Sequence, residues 1–438
     1  MSNTVATAPG YGGPALAAWL ERLEHLHPQA IDLGLERVAA VATRLDLRFD
    51  CPVFVVAGTN GKGSTCAMLE SILLAAGYRV GLYSSPHLVH FNERARIDGV
   101  ALEDAPIVAA LEAVDAARGD VSLTYFEFTT LAAARILSRA GLDAVILEVG
   151  LGGRLDAVNL FDADCAIVTS IDVDHAQWLG HSREAIGFEK ANVFRAGRPA
   201  ICSDPQPPAS LVAHAEAIGA DLWLFGRDFN YAGDRQQWSY AGRVHRRNSL
   251  AYPALRGQNQ LLNAAGALAA LDALRDVLPV SQQDVRRGFA QVELAGRFQV
   301  MPGRPTVVLD VAHNPHAAAH LAANLEQMGF FPVTWAVFGA MGDKDLDGII
   351  AAMGKVVNHW ITVDLPGTRA AGADELAARL RSNGIGAEGG RGIVATAATP
   401  LDGLEAALGK VRDADRIVVF GSFLTVADVL GRWQRSRR

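Results

Sequence analysis

Lys62 sits inside the run Gly58-Thr59-Asn60-Gly61-Lys62-Gly63-Ser64-Thr65, in which three glycines fall within six positions. Glycines at this density let backbone N–H groups approach phosphate oxygens, and a helix N-terminus adds partial positive charge. Lys62 is placed to reach terminal phosphates, and Ser64 or Thr65 to serve a magnesium ion. The match to G-x-x-x-x-G-K-[ST] is inexact. Val56 holds the place of the first glycine, and Gly63 separates Lys62 from Ser64. An ordinary glycine-rich turn is the competing reading; the lysine within the turn favours a nucleotide phosphate.

Other reactive side chains recur at comparable places. Ser85 lies in Tyr83-Ser84-Ser85-Pro86-His87-Leu88, where it could ligate a metal, although turn capping is the better reading from residue type. Glu148 is the single carboxylate of an apolar run, so it must meet a cation, a donor or water. Gly150-Leu151-Gly152-Gly153-Arg154-Leu155-Asp156 follows directly, as a site loop or as a loop with a surface Arg–Asp pair. Asp172-Val173-Asp174-His175 could hold a metal, or His175 could be a structural residue. Asp32 reads best as a helix N-cap. Nothing in its local chemistry marks Lys190 as special.

Elements must carry these residues to one place. Val53–Ala57 is apolar and β-branched, the mark of a buried strand, and Met68, Leu69, Ile72, Leu73 and Ala76 then form a helical stripe. Further buried strands are expected at 79–83, 143–150 and 166–171, each ending in a polar cluster; α/β sheets place ligands at such strand ends. The aromatic and polar alternation of 221–256 predicts a small antiparallel β excursion, and a helix follows from Gly257 to Ala273. Pro302-Gly303-Arg304-Pro305 reads as a domain boundary. Beyond it, strands at 306–309, 333–338 and 416–420 alternate with helices, which implies a second parallel sheet.

Composition narrows the partners. The chain has 438 residues, enough for two domains, and half of them are hydrophobic. Lys plus Arg is 40 against 47 Asp plus Glu, a net charge of −7, which argues against non-specific nucleic-acid or anionic-membrane binding. Cys51, Cys66, Cys165 and Cys202 lack metal spacing and read as reduced core thiols. No secretory signal and no membrane-spanning run are found, so a cytoplasmic protein is expected. Residues 1–13 read as loose.

The phosphate loop resembles the variant found in the folylpolyglutamate synthases, a branch of the Mur-ligase family of ATP-dependent amide-forming enzymes. The resemblance continues in family order. It runs through Ser84–Leu88, Glu148–Asp156, Thr169–His175, Glu189-Lys190-Ala191, Gly296-Arg297-Phe298-Gln299 and Asp310–Pro315. Ile31–Arg37 and Thr124–Phe128 resemble the dihydropteroate-binding segments of the family's bifunctional dihydrofolate synthase branch.

The resemblance implies an α/β protein of two domains with ATP and folate between them. The first, 1–296, would be a P-loop ATPase-like domain with a mainly parallel sheet and a small β excursion; the second, 297–438, a Rossmann-like glutamate ligase domain. Thr59, Asn60, Gly61, Lys62, Gly63, Ser64, Asn263, Arg297 and Asp310 would contact ATP. Ser85 and Glu148 would ligate one Mg2+ and His175 a second, with Lys190 carbamylated as an anionic ligand. Lys62, His175 and Lys190 would be the catalytic set. Asp32, Leu33, Gly34, Thr124, Tyr125, Phe126, Glu127, Leu155, Asp156 and Ala157 would line a pterin pocket. Asn259 departs from the His or aromatic that relatives often carry there, which touches the adenine pocket. The implied substrates are 7,8-dihydropteroate, tetrahydrofolates and L-glutamate, and the implied state is a monomer. A monofunctional folylpolyglutamate synthase and a cell-wall Mur ligase are the alternatives.

Overall fold

The structure is a computed structural model that describes residues 12–29, 31–234, 236–257, 259–386 and 392–436. Most of the stretch expected to be loose, 1–11, lies outside them. Contacts group the chain into two compact units, 1–254 with 261–293, and 255–260 with 294–438.

In the first unit the apolar run forms β1 (Val53–Ala57), buried at all five residues. The other strands are β2 (Val80–Tyr83), β3 (Ala95–Ile97), β4 (Val100–Ala101), β5 (Ala144–Glu148), β6 (Cys165–Val168), β7 (Pro199–Cys202) and β8 (Asp221–Leu224). They build one eight-stranded sheet in the order β4-β3-β2-β5-β1-β6-β7-β8. From β2 to β8 the pairing is parallel, and β3 and β4 add an antiparallel edge. Val56 lies level with Glu148 on one side and with Ile167 on the other. That register brings the loops after β1, β2, β5 and β6 out of neighbouring strands at one edge of the sheet.

Helix Lys62–Ala75 is buried on nearly every face from Ser64 to Leu73, because it packs on the sheet and also under helix Gln282–Gln291. Gly288 makes that second contact possible: a Cβ there would lie 2.6 Å from the Ile72 Cα. A separate apolar cluster joins Leu16, Leu23, Val38, Val41, Leu111, Phe128 and Leu131, and so fixes helices Pro14–Glu24, Glu36–Arg44, Asp104–Arg118 and Tyr125–Leu137.

Two expectations are corrected in this unit. Asp221–Leu224 is not part of the β excursion; it pairs in parallel with β7 as the sheet's edge. The excursion is the antiparallel sheet of β9 (Asn230–Gly233), β10 (Trp238–Ala241) and β11 (Arg246–Leu250), held by Trp238 and Tyr240, each 1% exposed. Asp32 is no N-cap either, since Leu35 holds that place. The Asp32 carboxylate instead meets Arg37 Nη1 at 2.7 Å and His27 Nε2 at 3.2 Å.

The second unit contains β12 (Gln299–Met301), β13 (Thr306–Leu309), β14 (Thr334–Phe338), β15 (His359–Val363), β16 (Val394–Ala397) and β17 (Arg416–Phe420). The sheet order is β12-β13-β17-β14-β15-β16, parallel except for β12. This is the expected second α/β sheet. Pro302–Pro305 does not mark a boundary; it is the turn joining β12 to β13 within this unit. The same turn chemistry serves either purpose, so residue type alone could not separate them. No helix among the described residues is long and apolar enough to cross a membrane.

Candidate active site

The phosphate loop is shaped by its glycines and tied to β6. Gly61 is the N-cap of helix Lys62–Ala75 with φ +92°, and a Cβ on it would lie 2.4 Å from Asn263 Oδ1. A side chain there would be strained and obstructed together. Thr59 N donates to Ser170 O at 2.7 Å, Thr59 Oγ1 donates to Asp172 O at 3.0 Å, and Thr169 Oγ1 donates to Asn60 O at 2.7 Å. The N–H groups of the helix's first residues have no intrahelical acceptor, so they are the natural donors to an anion. Thr65 Oγ1 is buried and has no partner among the described residues. A hydroxyl orphaned behind a glycine loop fits a phosphate with its cation.

Two ammonium groups converge on this loop. Lys62 Nζ donates to Gly58 O at 3.0 Å, and Lys190 Nζ donates to the same oxygen at 2.9 Å. Lys190 is 5% exposed. Burial first and the Lys62 charge second bring its pKa down to about 7, against the opposing pull of Asp174, Asp156 and Glu189. Gly153 brings its loop against the lysine's helix, for a Cβ there would meet Glu189 O at 2.6 Å and Lys190 Cα at 3.0 Å. Arg154 pairs with Glu189 across that contact, at 2.9 Å, and so not with Asp156 as the surface-pair alternative would have it.

The expected magnesium ligands are partly assembled. Ser85 N donates to Glu148 Oε2 at 3.3 Å, which places a hydroxyl-bearing residue at a buried carboxylate. Hard oxygen donors of this kind suit magnesium. His175 follows β6 in the left-handed region, φ 51°, with Asp174 Oδ2 4.0 Å from its Nε2. Among the described residues no three His, Cys, Asp or Glu side chains gather at one point. The expected set does not need them, since it draws on a serine and a modified lysine.

The proposed pterin segments also meet. Thr124 caps helix Tyr125–Leu137: Glu127 N donates to its Oγ1, and Thr124 N donates back to Glu127 Oε2 at 2.8 Å. This reciprocal T-x-x-E box is a plain sequence signal that the reading of these residues as pocket alone passes over. Glu127 continues to Arg37 at 3.1 Å, and through it to Asp32. The Phe126 ring packs on Gly150, where a Cβ would sit 2.5 Å from its Cζ. Asp156 is buried and accepts from Leu151 N at 2.8 Å and Val158 N at 2.9 Å; burial raises its pKa to about 6 despite those bonds. Arg37, within the expected Ile31–Arg37 segment but not among its named lining residues, and His27, outside it, hold this end together. Besides Asp32 they reach far along the chain, Arg37 to Glu127 and His27 Nδ1 to Ser122 Oγ at 2.7 Å, pairings that local sequence does not carry.

In the second unit Asp310 joins the Arg297 segment. Its carboxylate accepts from Phe298 N and Ala312 N, each at 2.8 Å, and Val311 N donates to Gly296 O at 2.9 Å. Burial raises the Asp310 pKa, and Arg297 is the largest influence that lowers it. The Arg297 guanidinium lies over the Phe423 ring at 5.0 Å.

Comparison with known proteins assigns the family. Residues 56–271 match the Mur ligase middle domain, and residues 296–423 match the Mur ligase glutamate ligase domain. The dihydrofolate synthase/folylpolyglutamate synthase of Escherichia coli K12 is 46% identical over 95% of this chain and 94% of its own. That of Haemophilus influenzae is 40% identical over 94% and 96%. The structure of E. coli FolC in complex with DHPP and ADP superposes with a TM-score of 0.91 at 44% identity, covering 98% of this chain and all of that one. A bifunctional folylpolyglutamate synthase/dihydrofolate synthase with Mn, AMPPNP and L-glutamate bound gives 0.88 at 43% identity, over 98% of this chain and all of its own. The chain therefore belongs to the dihydrofolate synthase/folylpolyglutamate synthase family of Mur-type ligases.

Proposed function

We propose that this chain is an ATP-dependent ligase that adds L-glutamate to 7,8-dihydropteroate, forming dihydrofolate, and to folate mono- and polyglutamates. The observation that carries this reading is identity along nearly the whole chain to relatives named for both reactions. The phosphate-loop geometry supports it independently.

A carboxylate is a poor acyl donor because oxide is a poor leaving group. One carboxylate oxygen of the pteroate or folyl substrate attacks the γ-phosphorus of ATP; the new O–P bond forms as the bond to the β-phosphate oxygen breaks and ADP leaves. The glutamate amine then attacks the acyl carbon, loses a proton, and expels inorganic phosphate. Lys62 and the N–H groups at the head of helix Lys62–Ala75 offset charge on the transferring phosphoryl group. Thr59, Asn60, Gly61, Gly63 and Ser64 complete the phosphate cradle, and Asn263, Arg297 and Asp310 contact the nucleotide. Magnesium, when bound, would neutralise phosphoryl oxygens, held by Ser85 and Glu148 for one ion and by His175 for another, with Lys190 serving as a carbamate. Asp32, Leu33, Gly34, Thr124–Glu127 and Leu155–Ala157 line the pterin pocket. Residues 1–296 carry ATP binding and 297–438 the glutamate ligase function. The enzyme acts as a cytoplasmic monomer on small molecules, not on nucleic acid or membranes.

The test is a substrate panel at fixed ATP, magnesium and L-glutamate, with products read by mass. Glutamate addition is expected both to 7,8-dihydropteroate and to a tetrahydrofolate monoglutamate. Inert dihydropteroate beside an active folate arm would make the enzyme monofunctional. Elongation of a UDP-linked muramyl precursor alone would make it a cell-wall ligase.

A further inference from the structure

Helix Pro315–Gln327 buries Ala318, Leu321, Ala322 and Leu325 in the second unit's core. His316 and His320 lie one turn apart on its flank, each half-buried. Four residues is the spacing at which helical side chains stand one above the other. Here the two rings stand nearly perpendicular, 80° between planes, and their Nε2 atoms are 3.1 Å apart.

A hydrogen bond between two imidazoles needs one N–H and one bare nitrogen, so the pair is joined by a single shared proton. The same separation suits a metal ion. With Zn–N distances of about 2.0–2.1 Å, two nitrogens on one ion stand roughly 2.9 Å apart at a right angle and roughly 3.4 Å apart at the tetrahedral angle. The observed 3.1 Å falls between them. We propose that His316 and His320 form a two-imidazole chelate for a borderline transition-metal ion such as Zn2+, Ni2+ or Co2+, water completing its coordination. On binding, the ring that donates the N–H moves that proton to its own Nδ1 by exchange through water, and each Nε2 then donates its lone pair to the ion. Imidazole pairs of this kind prefer such ions to magnesium, which seeks oxygen. The pair draws on none of the expected magnesium ligands Ser85, Glu148, His175 and Lys190, and the proposal does not depend on the ligase reading. By linking the first two turns of the helix that follows Asp310–Asn314, the ion would stabilise the folded second unit.

The test titrates Co2+ or Ni2+ into the full chain at pH 8, without nucleotide and with magnesium in excess to occupy oxygen sites. One ion per chain is expected to bind and to raise the unfolding midpoint. His316→Gln and His320→Gln should each weaken that binding by roughly tenfold or more and abolish the midpoint shift. His214→Gln, on a helix of the first unit, should change neither. A cobalt-soaked crystal supplies a check that needs no variant, with anomalous density expected within bonding reach of both Nε2 atoms. Wild-type binding in both Gln variants, or cobalt density away from the pair, would overturn the assignment.

Discussion

Lys62 and Lys190 share the Gly58 carbonyl oxygen, which sets both amines beside the phosphate loop. Lys62→Ala should therefore cut ADP release driven by dihydropteroate and glutamate by about a hundredfold or more, with an unchanged circular dichroism spectrum. A folded variant that kept most activity would remove Lys62 from the phosphate site. For Lys190 a pKa near 7 leaves a large neutral fraction at physiological pH, the form that reacts with CO2. Intact mass under native, bicarbonate-containing conditions should show about 44 Da, one CO2, above the sequence mass, lost in Lys190→Ala. Residue type could not reveal this, because the lysine becomes unusual only when the fold buries it. Asp156 carries a pH signature. Its folded-state pKa of about 6 exceeds the usual 3.8, so the folded protein holds that proton more tightly than the unfolded chain. Its contribution to stability is fully present below the unfolded value and declines as pH rises through the window between them. Denaturant unfolding of wild type against Asp156→Asn should show wild type losing about 2–3 kcal/mol relative to the variant from pH 4 to pH 7. A flat difference would place the Asp156 pKa at its unfolded value.

Strands and helices were the most readable level of this chain, and the reason is periodicity. Val53–Ala57, Thr306–Leu309 and Arg416–Phe420 are short apolar runs closed by glycine or aspartate, and each is a strand in the structure. Where the local signal serves two structures, it misleads. Asp221–Leu224 has the aromatic character of the hairpins after it, and only its pairing with β7 assigns it to the main sheet. Pro302–Pro305 has the chemistry of a linker and of a hairpin turn alike. Asp32 precedes a helix as a cap would, yet its partners His27 and Arg37 are set by the packing of the loop before that helix. At this scale Gly288 offers a test of how the phosphate-loop helix is seated. Gly288→Ala drives a methyl into the Ile72 backbone, so the two helices must part. A loss of about 1–3 kcal/mol in denaturant unfolding is expected, with dihydropteroate turnover falling as the helix shifts. Unchanged stability would mean the helices have slack at this contact.

Over the whole molecule, a net charge of −7 surrounds a site built to receive anions, so the basic groups have to be local. The order of motifs along the chain was legible, and the runs after β1, β2, β5, β6 and β13 each close a strand. Their convergence was not, because it depends on β5 lying between β2 and β1 and on β6 lying on the other side of β1. The same topology bears on dual substrate use. Dihydropteroate carries no glutamyl tail, so its positioning rests on contacts to the pterin and the adjoining ring, whereas a folate has its tail as a further anchor. Binding energy from remote groups can maintain turnover when another contact is lost. Asp32 reaches Glu127 through Arg37, and Phe126 packs on Gly150 beside the loop that leads to Asp156. Asp32→Ala and Phe126→Ala should therefore lower kcat/KM for 7,8-dihydropteroate by about tenfold or more, and for a tetrahydrofolate monoglutamate by distinctly less. Competition between the two substrates in one reaction, with both products resolved by mass, reads the ratio directly. An equal fall in both arms would show that these residues position every substrate alike, and the basis of dual use would then lie outside this pocket.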